Sequence, residues 1–178
     1  MASIYDTVSS WGSGSTYNKY DIVKGSDNKY YYSIIDSNIN QNPTDPLNLQ
    51  VEWDGYKTIN SVLVPNFFWQ PSYSSSIKQE PRVKRIKFGN GYEQRISDSI
   101  NYNLVTFDVQ FQLRTEKEAV SILHFLNQRA TKEAFTYNMP TVLSKSVFST
   151  RFICSNWSFD YVSYNNYSIK CSFEEVSA

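Results

Sequence analysis

Histidine and cysteine are scarce in this 178-residue chain: His124 stands alone, and the two cysteines, Cys154 and Cys171, lie far apart. Zinc centres need three or four ligands at close spacing, so a metal site has no support, and no cofactor motif is present. A disulfide would require the two cysteine strands to run side by side, and a reducing compartment disfavours it, so two free, buried thiols are expected. Charge of either sign is not in excess, with 17 basic and 17 acidic residues. Binding of free nucleic acid, which gains its energy from counterion release by a net basic surface, is therefore not expected. No apolar run is long enough for a membrane-crossing helix, and the start, Met1-Ala2-Ser3-Ile4-Tyr5-Asp6, lacks a basic stretch followed by an apolar one. The expectation is a protein made in its host's cytoplasm and held there until it assembles.

Catalytic patterns are missing as well. There is no Gly-x-Ser-x-Gly elbow. Gly12-Ser13-Gly14-Ser15 lacks the lysine, preceding strand and following helix of a phosphate loop. Glu116 and Glu118 fall where a helix begins, and there carboxylates simply favour the helix dipole. His124 falls beside the apolar face of that helix, so an exposed or half-exposed surface histidine is expected rather than a general base. No catalytic residue is assigned, and an enzyme is not expected.

What the chain has in abundance is aromatic side chains, 16% of all residues, with 14 Tyr and 11 Phe. Together with much Ser, Thr, Val and Ile, they point to β-sheet. Residues 1–56 are polar and rich in Tyr, Asn and Ser. Tyr20–Lys24 and Lys29–Ile35 read as strands around a turn at 25–28, and the stretch Asn38–Leu49 reads as an irregular loop. Such a small unit has little core, and Trp11, Tyr17, Tyr31 and Trp53 would have to supply it. The same region could present a flat aromatic platform to a sugar, with Trp11, Tyr30, Tyr31 and Trp53 as candidates, although a miniature aromatic core is the plainer reading. Residues 57–66 read as a linker.

Residues 67–178 are more regular. Arg82–Phe88 and Tyr92–Ser97 flank Gly89-Asn90-Gly91, and Asn-Gly is a strong hairpin signal that predicts a type I′ turn with positive φ at Asn90 and Gly91. Lys78, Arg82, Lys84, Arg85 and Lys87 form a local basic stretch, which could meet an anionic partner but reads more plainly as a solvated or edge-strand face. Val105, Phe107, Val109, Phe111 and Leu113 share one face of a strand whose other face is Thr106, Asp108, Gln110 and Gln112. The period then becomes helical. Thr115 with Glu118 forms a capping-box pattern, and Ala119, Ile122, Leu123 and Leu126 line the buried face. Further strands are expected at 134–137, 147–154, 157–161 and 167–176. The pattern predicts a mainly β chain, an antiparallel β-sandwich or barrel with one packed α-helix, plus a small N-terminal β module.

From Phe68 to Val176 the chain resembles the lambda-type phage minor tail protein M family. The carriers are Trp69-Gln70-Pro71-Ser72, Pro81-Arg82-Val83, Phe88-Gly89-Asn90-Gly91-Tyr92-Glu93-Gln94-Arg95, Ala134-Phe135-Thr136-Tyr137, Phe152-Ile153-Cys154-Ser155-Asn156-Trp157 and Phe173-Glu174-Glu175-Val176. Phe88, Gly89, Gly91, Tyr92, Gln94 and Arg95, with the later Trp157, make up the most specific pattern. Ala130 stands where the family usually has glycine after the helix, Ser99 where glycine usually precedes Ile100-Asn101, and Tyr137 where tryptophan is common. The resemblance implies a tail-tube-like fold and a structural subunit of a siphophage tail tip. It further implies a ring, commonly a hexamer of this chain, that joins the tail tube to the tip hub, with tail tube, tape-measure and hub proteins as neighbours. The first segment resembles a small chitin-binding carbohydrate module, through Trp11, Tyr17-Asn18-Lys19, Asp21-Ile22-Val23, Lys29-Tyr30-Tyr31, Pro43 and Trp53. Tyr20 replaces its usual glycine, and Ile35-Asp36 stands where a sugar-stacking tryptophan pair is expected. The alternative to a ring subunit is therefore an adhesion protein of the tail binding a host surface glycan, or an accessory module of a hydrolase.

Overall fold

A computed structural model of the protein describes residues 5–73, 75–97, 103–138 and 151–176. In chain order the N-terminal elements are β1 (Thr16–Tyr17), β2 (Ile22–Lys24), β3 (Tyr30–Tyr32), β4 (Asn38–Ile39), a single helical turn α1 (Asn48–Val51), β5 (Lys57–Ile59) and β6 (Val62–Val64). They are followed by β7 (Asn66–Phe67), β8 (Ser76–Gln79), β9 (Val83–Lys87), β10 (Glu93–Ser97), β11 (Val105–Arg114), α2 (Glu116–Arg129), β12 (Phe135–Tyr137), β13 (Arg151–Ser163) and β14 (Asn166–Val176). The chain is mainly β. Its centre is a curled six-stranded sheet in the order β7-β12-β13-β14-β11-β8, parallel only between β7 and β12.

The sheet's inner face follows from period-two alternation. Phe107, Val109 and Phe111 of β11 lie opposite Phe173, Cys171 and Ile169 of β14, and all are buried, as is Val105. The alternation stops at Leu113, whose φ is +54° and whose side chain is 69% exposed. A bulge between Phe111 and Arg114 turns it out, correcting its assignment to the apolar face. A second bulge, between Cys154 and Asn156, keeps Trp157 on the core side, opposite Cys171.

Helix α2 packs on the inner face through Ala119, Ile122, Leu123, Phe125 and Leu126. Thr115 caps it by accepting the Glu118 N–H, and Glu116 and Glu118 sit in its first turn. At its other end Ala130 adopts the left-handed conformation, φ 36°, which is why a glycine suits that position in the family pattern.

The N-terminal segment is built from two-residue and three-residue ladders, β1–β4 and β2–β3, around Tyr17, Val23, Tyr31 and Trp53, with Trp11 and Leu49 packed alongside. The stretch 38–49 is accordingly not an irregular loop throughout, since β4 and the start of α1 lie within it. Residues 57–66 differ from a plain linker as well. They contain a tight hairpin, β5–β6, whose turn residues Asn60 (φ 49°) and Ser61 (φ 64°) have the paired positive values of a type I′ turn. Tyr32 leaves the small cluster and enters the main core beside Phe67 and Trp69, joined by Tyr20, Ile22 and Ile34.

Both cysteines are reduced and buried, on adjacent strands of the sheet. The Cys154 thiol donates to the Asn156 carbonyl at 3.2 Å, and burial holds the Cys171 thiol far above its ordinary range. The thiolate is the reactive form, so Cys171 is expected to react slowest. Alkylation of the native protein should add no group within minutes, whereas alkylation in denaturant without reductant should add two by intact mass. Addition of none in denaturant would mean that a disulfide exists.

Candidate assembly surface

The sharpest family pattern in the sequence falls on an arm with almost no core behind it. Strands β9 and β10 pair only with each other, in register Lys87↔Glu93, Arg85↔Arg95 and Val83↔Ser97, as a separate two-stranded ribbon. Phe88, Gly89, Gly91, Tyr92, Gln94 and Arg95 are all exposed. The Phe88 and Tyr92 rings pair at the tip with centroids 5.8 Å apart, yet stay 48% and 67% exposed. Arg85 and Arg95 face each other across the ladder, a repulsive pairing, and Glu93 offsets it by lying 3.7 Å from one guanidinium and 2.9 Å from the other. The basic stretch is therefore a solvated ribbon, apart from Lys78, which pairs with Asp108 at 2.6 Å.

The hairpin is where the sequence places it, but its turn differs. Gly91 has φ +77°, while Asn90 has no positive φ. Gly91 N donates to the Phe88 carbonyl at 3.1 Å and Phe88 N to the Tyr92 carbonyl at 2.9 Å. This is a type I turn closed by a left-handed glycine bulge, and only Gly91 needs the left-handed region. Around Gly91 a Cβ would meet nothing within 4 Å, so substitution is strained by backbone alone. Gly91→Val should cost about 1–3 kcal/mol locally and shift the amide resonances of the arm, leaving those of β11 and β14 in place. An unchanged spectrum at Phe88 and Tyr92 would show that the bulge does not depend on glycine.

A second exposed feature is the outer half of β13. Trp157, Phe159 and Tyr161 oppose Cys171, Ile169 and Tyr167, which places all three on the core side of the sheet. Phe159 and Tyr161 are nevertheless 58% and 63% exposed. Strand β12 pairs with β13 only at Arg151 and Phe152, so among the described residues nothing continues the sheet beyond Ile153. Reading residue by residue located this strand but missed its exposure. Residues 139–150, which include the start of the strand expected at 147–154, lie outside the described residues, as do Ser99, Ile100 and Asn101.

The four aromatics suggested as a sugar platform are not brought to one surface. Trp53 is fully buried, donating its ring N–H to the Gln41 carbonyl at 2.9 Å, and Tyr31 is buried with its hydroxyl on Asp27 at 2.7 Å. Trp11 packs on that same cluster, whereas Tyr30 stacks on Tyr5 with centroids 4.2 Å apart. The arrangement is the miniature aromatic core.

His124 requires a correction: it is completely buried, not a surface residue. Its Nε2 lies 3.1 Å from the Tyr30 carbonyl, which can only accept, so Nε2 carries the proton and Nδ1 accepts from the Tyr5 hydroxyl at 2.7 Å. Burial, reinforced by Arg129, pushes its pKa down to about 4. Nearby Asp54 is also buried, and burial raises its pKa to about 7 despite Arg129 and a hydrogen bond from Tyr32 N at 3.0 Å. Between pH 4 and 6.5 the unfolded chain binds a proton at His124 that the native state refuses, so stability falls on acidification. Over nearly the same window native Asp54 holds a proton that the unfolded chain releases, so its contribution falls as pH rises. The two offset each other. Asp54→Asn keeps the acceptor and tolerates the left-handed φ of 51° at this position. That variant should lose on the order of 3 kcal/mol between pH 6.5 and 4 relative to wild type, read from denaturant midpoints. A parallel pH profile for the two proteins would mean that Asp54 is not held protonated in the native state.

Among the described residues no three metal-ligating side chains converge. An open groove of about 1130 Å³ runs between the N-terminal segment and the start of α2, past Asp21, Lys117, Tyr164 and Asn165. Within it Lys117 pairs with Asp21 at 2.6 Å.

The arm, the six-stranded sheet and α2 all fall within the part of the chain that has known relatives. The chain is 27% identical over 110 residues to tail tip protein M of Escherichia phage lambda, a match covering 62% of this chain and 95% of that protein. A family profile extends the likeness over residues 65–177, from the residue before β7 to just past β14, and the chain belongs to the phage minor tail protein family.

Proposed function

We propose that this protein is a structural subunit of a siphophage tail tip, a closed ring, six-fold, that joins the tail tube to the tip hub. Its neighbours in that reading are further copies of itself, the tail tube and tape-measure proteins and the hub, and it is made in the host cytoplasm before entering the virion tail. The observation that carries the reading is the position of the family's most specific residues. Phe88, Gly91, Tyr92, Gln94 and Arg95 contribute nothing to the core, so their role is contact outside the chain. Exposed aromatic and arginine residues on a ribbon are the side chains that recur at protein interfaces. Burial of Tyr31 and Trp53 weighs against the glycan-binding alternative.

Reconstruction of assembled tails tests the proposal. The chain is expected as a closed ring around the tail axis, between tube and hub. Density for it in peripheral fibres, or tails that form normally without it, would overturn the reading. Purified protein is expected to show a monomer–ring equilibrium, because no stretch of the sequence is apolar enough to predict an obligate dimer.

A further inference from the structure

We propose that the β9–β10 arm of one copy docks along the open outer half of β13 in the next copy. The inference rests on the self-assembly reading above and names the surfaces through which it occurs. Among the described residues each half of this contact is incomplete in the isolated chain. A two-stranded ribbon with five residues per strand and no core is marginal in water by itself. A long edge strand with exposed aromatics is a template for pairing with another chain, and proteins that leave one uncharged and unprotected use it. From Ile153 to Ser163 the edge carries one carboxylate, Asp160, and no lysine, arginine or proline to block pairing.

The two halves also complement each other. The match is one of rings rather than charge, since the edge's one carboxylate, Asp160, already lies 3.7 Å from Lys170. The tip of the arm is aromatic, and so is the exposed core-side row of the edge, Phe159 and Tyr161. Pairing backbone to backbone would add strands to the sheet, while the Phe88 and Tyr92 rings reach the uncovered aromatic row. The topology fixes the direction. The arm follows β8, at one margin of the sheet, and the open edge of β13 lies on the other side of β14 and β11. A contact between different surfaces of like subunits is head-to-tail, and head-to-tail contacts propagate until they close.

A benzophenone side chain introduced at Tyr92 tests the contact in assembled tails containing two differently tagged copies of the chain. Light should produce an adduct between the two tags that maps to residues 153–163. Phe159→Ser combined with Tyr161→Ser, which changes exposed rings only, should leave the melting temperature of the purified protein within a few degrees and reduce that adduct at least tenfold. Adducts between copies at any other segment, adducts only to other tail proteins, or an adduct yield indifferent to the β13 variant would each overturn the arm-to-edge contact while leaving the ring intact. Tails that exclude the chain altogether would overturn the proposed function and this contact together.

Discussion

Removal of residues 1–64 is expected to abolish the cooperative thermal transition of the remaining chain. Segment and sheet domain share one core, although residues 1–56 read from sequence as an appended module. Tyr32 is fully buried, with its ring centroid 5.3 Å from that of Trp69, and Tyr20 stacks on the same indole at 6.3 Å. Polar contacts follow the same boundary. His124 is held between Tyr5 and Tyr30, Gln128 donates to the Tyr30 carbonyl at 2.8 Å, and Arg129 reaches the Tyr56 hydroxyl at 3.1 Å. Truncation would expose Trp69, Phe68 and one side of α2, and leave His124 without either partner. Each aromatic buries about 150–250 Å², worth roughly 4–6 kcal/mol at 25 cal/mol per Å² as an upper bound, and several are uncovered together. A domain of this size is stable by only about 5–15 kcal/mol, so the deficit is comparable with the whole. Calorimetry decides the matter. A sharp transition for residues 65–178 within a few degrees of the full chain would show that the two parts are separable.

Phe67→Ala should destabilise the protein by about 3–5 kcal/mol, among the largest single-residue effects available. Strand β7 is only two residues long, yet its phenylalanine is the hub of the core. The Phe67 ring lies 4.9 Å from Trp69, 5.1 Å from Phe173, 5.3 Å from Phe125, 5.5 Å from Phe111 and 5.6 Å from Tyr137, centroid to centroid. It is held there by parallel pairing with β12 and by the Thr136 N–H on the Pro65 carbonyl at 2.8 Å. Packed rings cannot collapse into the space a lost ring leaves, so the cavity penalty stays close to its full value. Phe67→Leu keeps most of the volume and should cost less than half as much. Equal denaturant midpoints for wild type and Phe67→Ala would contradict this account of the core.

Alternation and helical period were readable because each depends on neighbours in sequence. The inner face of β11 through Phe111, the capping of α2 by Thr115 and the hairpin around Gly91 are local patterns, and the structure contains all three. The family's aromatic and glycine spacing was readable for the same reason, and with it the kind of assembly to which the chain belongs. What tertiary structure alone decided is where each local element finds its cover. A helical wheel recognises one apolar face on α2, so His124 read as a surface residue; it is buried because Tyr5, Tyr30 and Tyr32 close over a second face from far along the chain. Leu113 continued the apolar row in sequence and leaves it in space, since a bulge shifts the period by one residue. Trp53 and Tyr31 could be read as platform or, more plainly, as core, and packing chose core. Phe159 and Tyr161 obey the same alternation as the buried Ile169, which lies opposite Phe159, yet remain exposed. Sequence period determines which side of a strand an aromatic takes, but whether another element arrives to bury it depends on contacts between distant segments.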